Sequence, residues 1–253
     1  MATLAAGNAG YSNDRTFFAT TAILMAAVIV GGFSTNLILG RSTFAVPAIF
    51  HAHAIVFFGW VVLYVTQSLL ATRGSLALHR RLGWLAAGWI PLMAVLATAL
   101  VIHVIRERGG PFFFDQNEFL FGNGVGMLAF VGLASSAIVL RRQTQWHRRL
   151  MLCAMAILTG PGFGRLLPLP LMIPWAWWAS AFAFPVLFPL AGVIADWRRD
   201  GRIHPAWWWG IGAMAAAMLL ADLIAYSPQG IAMTQALTEG APGAARPMQA
   251  YLP

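Results

Sequence analysis

Apolar runs of about 20 residues, the length a helix needs to cross a bilayer, recur along this chain from residue 17 to residue 226. Seven can be drawn, at 17–38, 46–71, 82–104, 118–140, 150–167, 175–195 and 206–226. This pattern predicts an all-α integral membrane protein with seven transmembrane helices, one leading helix followed by three hairpins. Residues 1–16 are then a cytoplasmic N-terminal segment, 17–226 the transmembrane domain, and 227–253, rich in Gly, Pro and Ala, an extracytoplasmic flexible tail. The run after residue 16 is long and lacks a clear small-residue cleavage site, so it reads as a retained helix.

Composition excludes a soluble domain: 59% of the 253 residues are hydrophobic and only 9% are charged, against about a quarter charged in soluble chains. The net charge of +8 comes entirely from arginine. These arginines do not form the stripe that nucleic acid would require. They gather instead in the turns at 72–81, 141–149 and 196–205: Arg73, Arg80, Arg81, Arg141, Arg142, Arg148, Arg149, Arg198, Arg199 and Arg202. The opposite loops hold Arg41, Arg106 and Arg108. The positive-inside rule places the basic turns in the cytoplasm, with the N-terminus inside and the C-terminus outside, as expected in a bacterial inner membrane. The chain has no lysine, so a retinal Schiff base is excluded. Cys153, the single cysteine, reads as an inert core residue.

Each basic turn carries a histidine just before the return helix: His79-Arg80-Arg81-Leu82, His147-Arg148-Arg149-Leu150 and Ile203-His204-Pro205. The repeated His-Arg-Arg-Leu is consistent with a duplicated hairpin. His79, His147 and His204 form a candidate cluster at the inner face. Gly122-x-x-x-Gly126 would permit close helix contact. The stretch from Gly160 to Trp178, broken by glycine and proline, reads as an outer turn, re-entrant in one version. Trp207, Trp208 and Trp209 read as a headgroup anchor.

Ionisable side chains inside spans are costly and so mark candidate sites. His51 and His53 lie near the outer end of the second run, His103 closes the third, and Asp115, Asn117, Glu118 and Asn123 surround the start of the fourth. His51 and His53 point about 200° apart on a helix. The stripe His53, Phe57, Trp60, Tyr64, Gln67 carries polar handles and should face inward, whereas His51, Ile55, Phe58 and Val62 suit lipid. His53 with His103 could ligate a haem iron, His51 supporting them. With Glu118, Asp115 or Asp222 the set becomes a mixed nitrogen–oxygen site for a transition metal such as iron, zinc, copper or manganese. Arg165 and Asp222 could form a structural ion pair or contact a substrate.

His79-Arg80-Arg81-Leu82-Gly83, following His51 and His53 in the preceding helix, resembles bacterial multi-span proteins with histidines at helix ends. In arrangement it is similar to transmembrane b-type cytochromes, which implies haem b held between paired histidines. No c-type Cys-x-x-Cys-His occurs, and the paired His boxes of membrane desaturases are missing. The leading expectation is haem or metal binding near the outer face for electron transfer or oxidoreduction. A transporter with a polar path at Arg165 and Asp222, or an accessory subunit binding partners in a larger membrane complex, are the alternatives.

Overall fold

A computed structural model describes residues 2–72 and 74–252, with side chains from Thr16 onward. Arg73 and the side chains of residues 1–15 lie outside the described residues. The described chain is helical, with no strand: α1 (Ala2–Ile38), α2 (Ala48–Thr72), α3 (Leu76–Arg108), α4 (Gln116–Val139), α5 (Thr144–Ile157), α6 (Gly160–Leu166), α7 (Ala176–Trp178), α8 (Leu187–Asp200), α9 (Pro205–Ala225) and α10 (Pro228–Thr238). A π-helical turn, Ala179–Ala183, joins α7 to α8 just ahead of Pro185, a residue with no N–H to give and a common cause of helix irregularity.

Among the described residues six segments are long and apolar enough to cross a membrane: Thr16–Ile38, α2, α3, α4, Ala176–Asp200 and α9. The chain is therefore a multi-pass membrane protein whose apolar helices suit a lipid bilayer. Residues 150–167, expected as a single span, are instead divided between α5 and α6, with the break at Leu158-Thr159. Neither piece is long enough alone. Exposed Ile55, Val62, Val95, Leu128, Val139 and Leu223 ring the bundle.

Helix ends follow local chemistry. Gly109 (φ 68°) and Gly201 (φ 65°) adopt the left-handed conformation that closes α3 and α8, their N–H groups donating to the carbonyls of Ile105 and Trp197. Ser227 caps α10 through its hydroxyl, with Pro228 at the first helical position.

α4 lies at the centre, packed on α3, α5, α9 and α10, while α5 is enclosed by α4, α9, α8 and α1. Arg149, Leu150 and Leu152 to Ala156 are all buried. One end of the bundle carries the turns at 140–143 and 201–204 and is rich in arginine; the other carries α10.

The tail departs from the expected loose segment. Arg246 donates to the carbonyls of Gly109 and Phe114, the Gln116 N–H donates to the Met248 carbonyl at 2.7 Å, and the Tyr251 N–H to the Phe112 carbonyl at 3.0 Å. Gly243 rests so close to the Ile105 and Arg106 carbonyls that a Cβ would collide with them. Backbone groups left over at the end of α3 and the start of α4 need partners, and the tail supplies them. Its composition disguises this, because the bonds are made largely by main chain.

Candidate functional site

At the arginine-rich end, α3 and α5 bring His79 and His147 together, with ring centroids 6.2 Å apart and planes at 84°. The Nδ1 of His79 lies 3.3 Å from the Gln67 carbonyl on α2, and that of His147 lies 2.8 Å from the Ala137 carbonyl on α4. A carbonyl can only accept, so Nδ1 carries the hydrogen in both rings, and each neutral imidazole keeps its lone pair on Nε2. Both bonds reach back across an antiparallel turn to the preceding helix. The two His-Arg-Arg-Leu tetrapeptides therefore do the same structural work.

Gln67 reinforces the arrangement. Its Nε2 donates to the His79 carbonyl at 3.1 Å, while its Oε1 is buried with no partner among the described residues. A ring fixed by Nδ1–H to a carbonyl, with Nε2 presented, is how metal-ligating histidines are commonly oriented.

His204 does not join the pair. Its Nδ1 accepts the Ala206 N–H at 3.1 Å and caps α9, which requires the opposite tautomer, and its ring stands edge-on to Trp146. Burial, and then the Arg149 charge, hold the His204 imidazole below its usual titration range.

Beside it lies a network the sequence reading passed over. Arg149, 1% exposed, donates from Nε and Nη2 to Asp196 Oδ2 and Oδ1 at 2.9 and 2.6 Å. Asp196 also accepts from Arg199 Nη2, Trp207 Nε1 and the His204 N–H. Trp207 is fully buried and stacks on Phe18, unlike its neighbours Trp208 and Trp209 at 53% and 69% exposure. The expected three-tryptophan anchor is thus two exposed rings and one core residue. The signal available was Asp196 itself, an acid at the end of an apolar run that faces two basic turns.

At the opposite end the proposed histidine ligands stay apart. His53 stacks on Phe57 with ring centroids 4.0 Å apart, His103 stands edge-on to Phe50, and His51 is exposed. No ring contact joins His53 to His103. Among the described residues no three His, Cys, Asp or Glu side chains are placed to share a metal ion.

Arg165 and Asp222 are not paired with each other. Arg165 donates to the Pro161 carbonyl at 2.7 Å and lies 3.7 Å over the Phe33 ring. Asp222 accepts from Trp178 Nε1 at 2.8 Å.

Asp115 accepts from the Tyr226 hydroxyl at 3.0 Å and the Ala250 N–H at 2.6 Å. Burial, then the Glu118 and Asp115 carboxyls, raise the Tyr226 phenol above its usual range. Glu118 and Asn117 are buried beside them. Asn123 turns back to the Phe119 carbonyl of its own helix. Gly122 lies under the Trp177 indole and Gly126 has nothing near it, so this pair forms no helix-contact motif within the chain.

No protein-family model, curated protein or solved structure matches the chain.

Proposed function

We propose that the protein crosses a bacterial inner membrane seven times, with its N-terminus in the cytoplasm, and holds a transition-metal centre between His79 and His147 for electron transfer. The observation that carries this reading is the pair of imidazoles with ring centroids 6.2 Å apart, each fixed through Nδ1 to the backbone of a different hairpin. Haem iron or a copper ion would be held by the ring nitrogens of His79 and His147. In either case the centre supplies the redox chemistry. The chain's own contribution is to fix both rings in one tautomer through the Gln67 and Ala137 carbonyls.

The seventh crossing is assigned to α5 and α6 together. α4 ends and α5 begins at the arginine-rich end, and the Ala176–Asp200 segment returns to that end. The intervening chain must travel the other way. Orientation follows from arginine placement.

Haem or metal at His53 and His103 finds less support, since each ring is engaged with a different phenylalanine. A transporter path through Arg165 and Asp222 is likewise weakened by their separate partners.

The test is an absorption spectrum of detergent-solubilised protein, oxidised and reduced, together with elemental analysis. A Soret band, or copper at one per chain, should be present in wild type and in His53→Ala and absent in His79→Ala and His147→Ala. A colourless, metal-free wild type of normal stability would sink the reading.

A further inference from the structure

The seam between α4 and α9, at the end of the bundle remote from the arginine-rich turns, holds carboxyl groups without a matching cation. Glu118, 5% exposed, lies within electrostatic reach of Asp222 and Asp115. Asp115 is provided for, by the Tyr226 hydroxyl, the Ala250 N–H and the nearby charge of Arg246. Glu118 and Asp222 are not. The Arg149–Asp196, Arg199–Asp196 and Arg199–Asp200 ion pairs of the bundle lie at the other end. Arg246 donates from Nη1 and Nη2, and Arg106 from Nη1, to backbone carbonyls.

A second observation is independent of these charges. Asn117, 2% exposed, donates from Nδ2 to the Ala225 carbonyl at 2.7 Å. That bond fixes which end of the amide is which, because a carbonyl needs a donor. The Asn117 Oδ1 is therefore held at the α4–α9 seam, next in sequence to Glu118 and one turn of α9 from Asp222. It is buried and has no hydrogen-bond partner, and the same is true of Asp222 Oδ1. Both unpartnered atoms are acceptors. An acceptor left unmet in a buried place is destabilising, and two of them beside a buried carboxyl call for a cation.

Position strengthens the point. Asp222 lies in the last turn of α9, where the peptide dipoles favour positive charge and penalise a carboxylate. Glu118, in the first turn of α4, gains from its helix, but nothing comparable stabilises Asp222 beyond the single Trp178 bond. On the outer side of Asp222 lies an open groove lined by Leu219, Asp222, Leu223, Tyr226 and Ser227.

We infer that Asn117, Glu118 and Asp222 form an all-oxygen site for a hard divalent cation of the calcium type, entered from the α10 end of the bundle. Two carboxylates balance the charge of one such ion, the amide oxygen is a third ligand, and water from the groove completes the six to eight oxygens that calcium takes. Imidazole and thiol are absent from the set, which separates it chemically from the histidine pair. The site's role is to tie α4 to α9 where the tail docks.

The test uses the full chain in detergent. Terbium, a calcium-sized ion excited by energy transfer from tryptophan, is titrated in, with Trp178 beside Asp222 as the nearest antenna. A saturable luminescence that calcium displaces and magnesium does not is the expected result. Asp222→Asn and Glu118→Gln should weaken terbium binding at least tenfold, and Asp115→Asn should not. Calcium should also raise the melting temperature of wild type and leave that of Asp222→Asn unmoved. No saturable signal, or a signal unchanged in Asp222→Asn, overturns the site. A protein whose stability responds to pH but not to calcium overturns it too, in favour of a proton shared by the two carboxyls.

Discussion

Arg149 and Asp196 meet side-on in the interior, with guanidinium Nε and Nη2 on the two carboxylate oxygens at 2.9 and 2.6 Å. This fork joins α5 to α8, and Trp207 brings α9 onto the same carboxylate. Two charges taken out of water are tolerated because nearly every donor and lone pair is used.

Removing one partner should therefore be severe. Asp196→Ala leaves Arg149 buried and unpaired, with an expected loss of about 3–5 kcal/mol, read as a large fall in melting temperature or in the yield of folded protein. Arg199→Ala, on the partly exposed side of the same carboxylate, should cost no more than about 1 kcal/mol. Equal effects would show that the fork is not the structural element it resembles.

The three consecutive tryptophans should separate in the same assay. Trp207→Phe removes the indole N–H from Asp196 and a ring that fills the notch at Gly192, with a loss of about 1.5–3 kcal/mol for a hydrogen bond to a charged group. Trp208→Phe and Trp209→Phe alter exposed rings and should leave the melting temperature within a degree or two of wild type, about ±0.5 kcal/mol.

Glycine supplies a third comparison. α1 and α6 approach so closely that a Cβ on Gly32 would overlap the Gly162 carbonyl, and one on Gly162 would lie 2.8 Å from the Val28 carbonyl. Backbone cannot yield as a flexible side chain can. Gly32→Ala and Gly162→Ala should each destabilise the protein by about 1–3 kcal/mol, the usual cost of overpacking. Gly126→Ala, with open space around it, should be neutral or slightly stabilising through helix propensity. The reverse ranking would place the important small-residue contact on α4.

These comparisons mark what was legible in the sequence. Apolar run length located α2, α3, α4 and α9, because crossing a bilayer dictates length and composition together. It could not divide α5 from α6, where the break falls just before Gly160-Pro161 and depends on packing against α1. Arg148 and Arg149 are adjacent and chemically identical, yet Arg149 is 1% exposed and Arg148 lies over Phe18. A helix turns about 100° per residue, so only tertiary contact decides which arginine finds Asp196. The histidine pair was half legible: the repeated tetrapeptide marked both residues, but only the fold brought them together and turned His204 away to cap α9. His53 and His103 looked like partners because depth can be counted along a helix, whereas rotation and neighbours cannot.

His204 gives the protein a predictable weakness in acid. Its folded titration point lies below the unfolded value because of burial and the Arg149 charge, so the unfolded chain binds more protons in the interval between the two. Stability contributed by the neutral ring is complete above the unfolded value of about 6.5 and is lost as pH falls below it toward the folded value. Protonation would also fill the Nδ1 lone pair that caps α9, removing the bond from Ala206 N–H. His204→Asn tests the two effects together, since asparagine is a strong helix cap with no titrating proton. The wild type should lose melting temperature between pH 7.5 and pH 5.5 by more than the variant does, while the two remain close at pH 7.5. An identical acid loss in both would assign the sensitivity to groups other than His204.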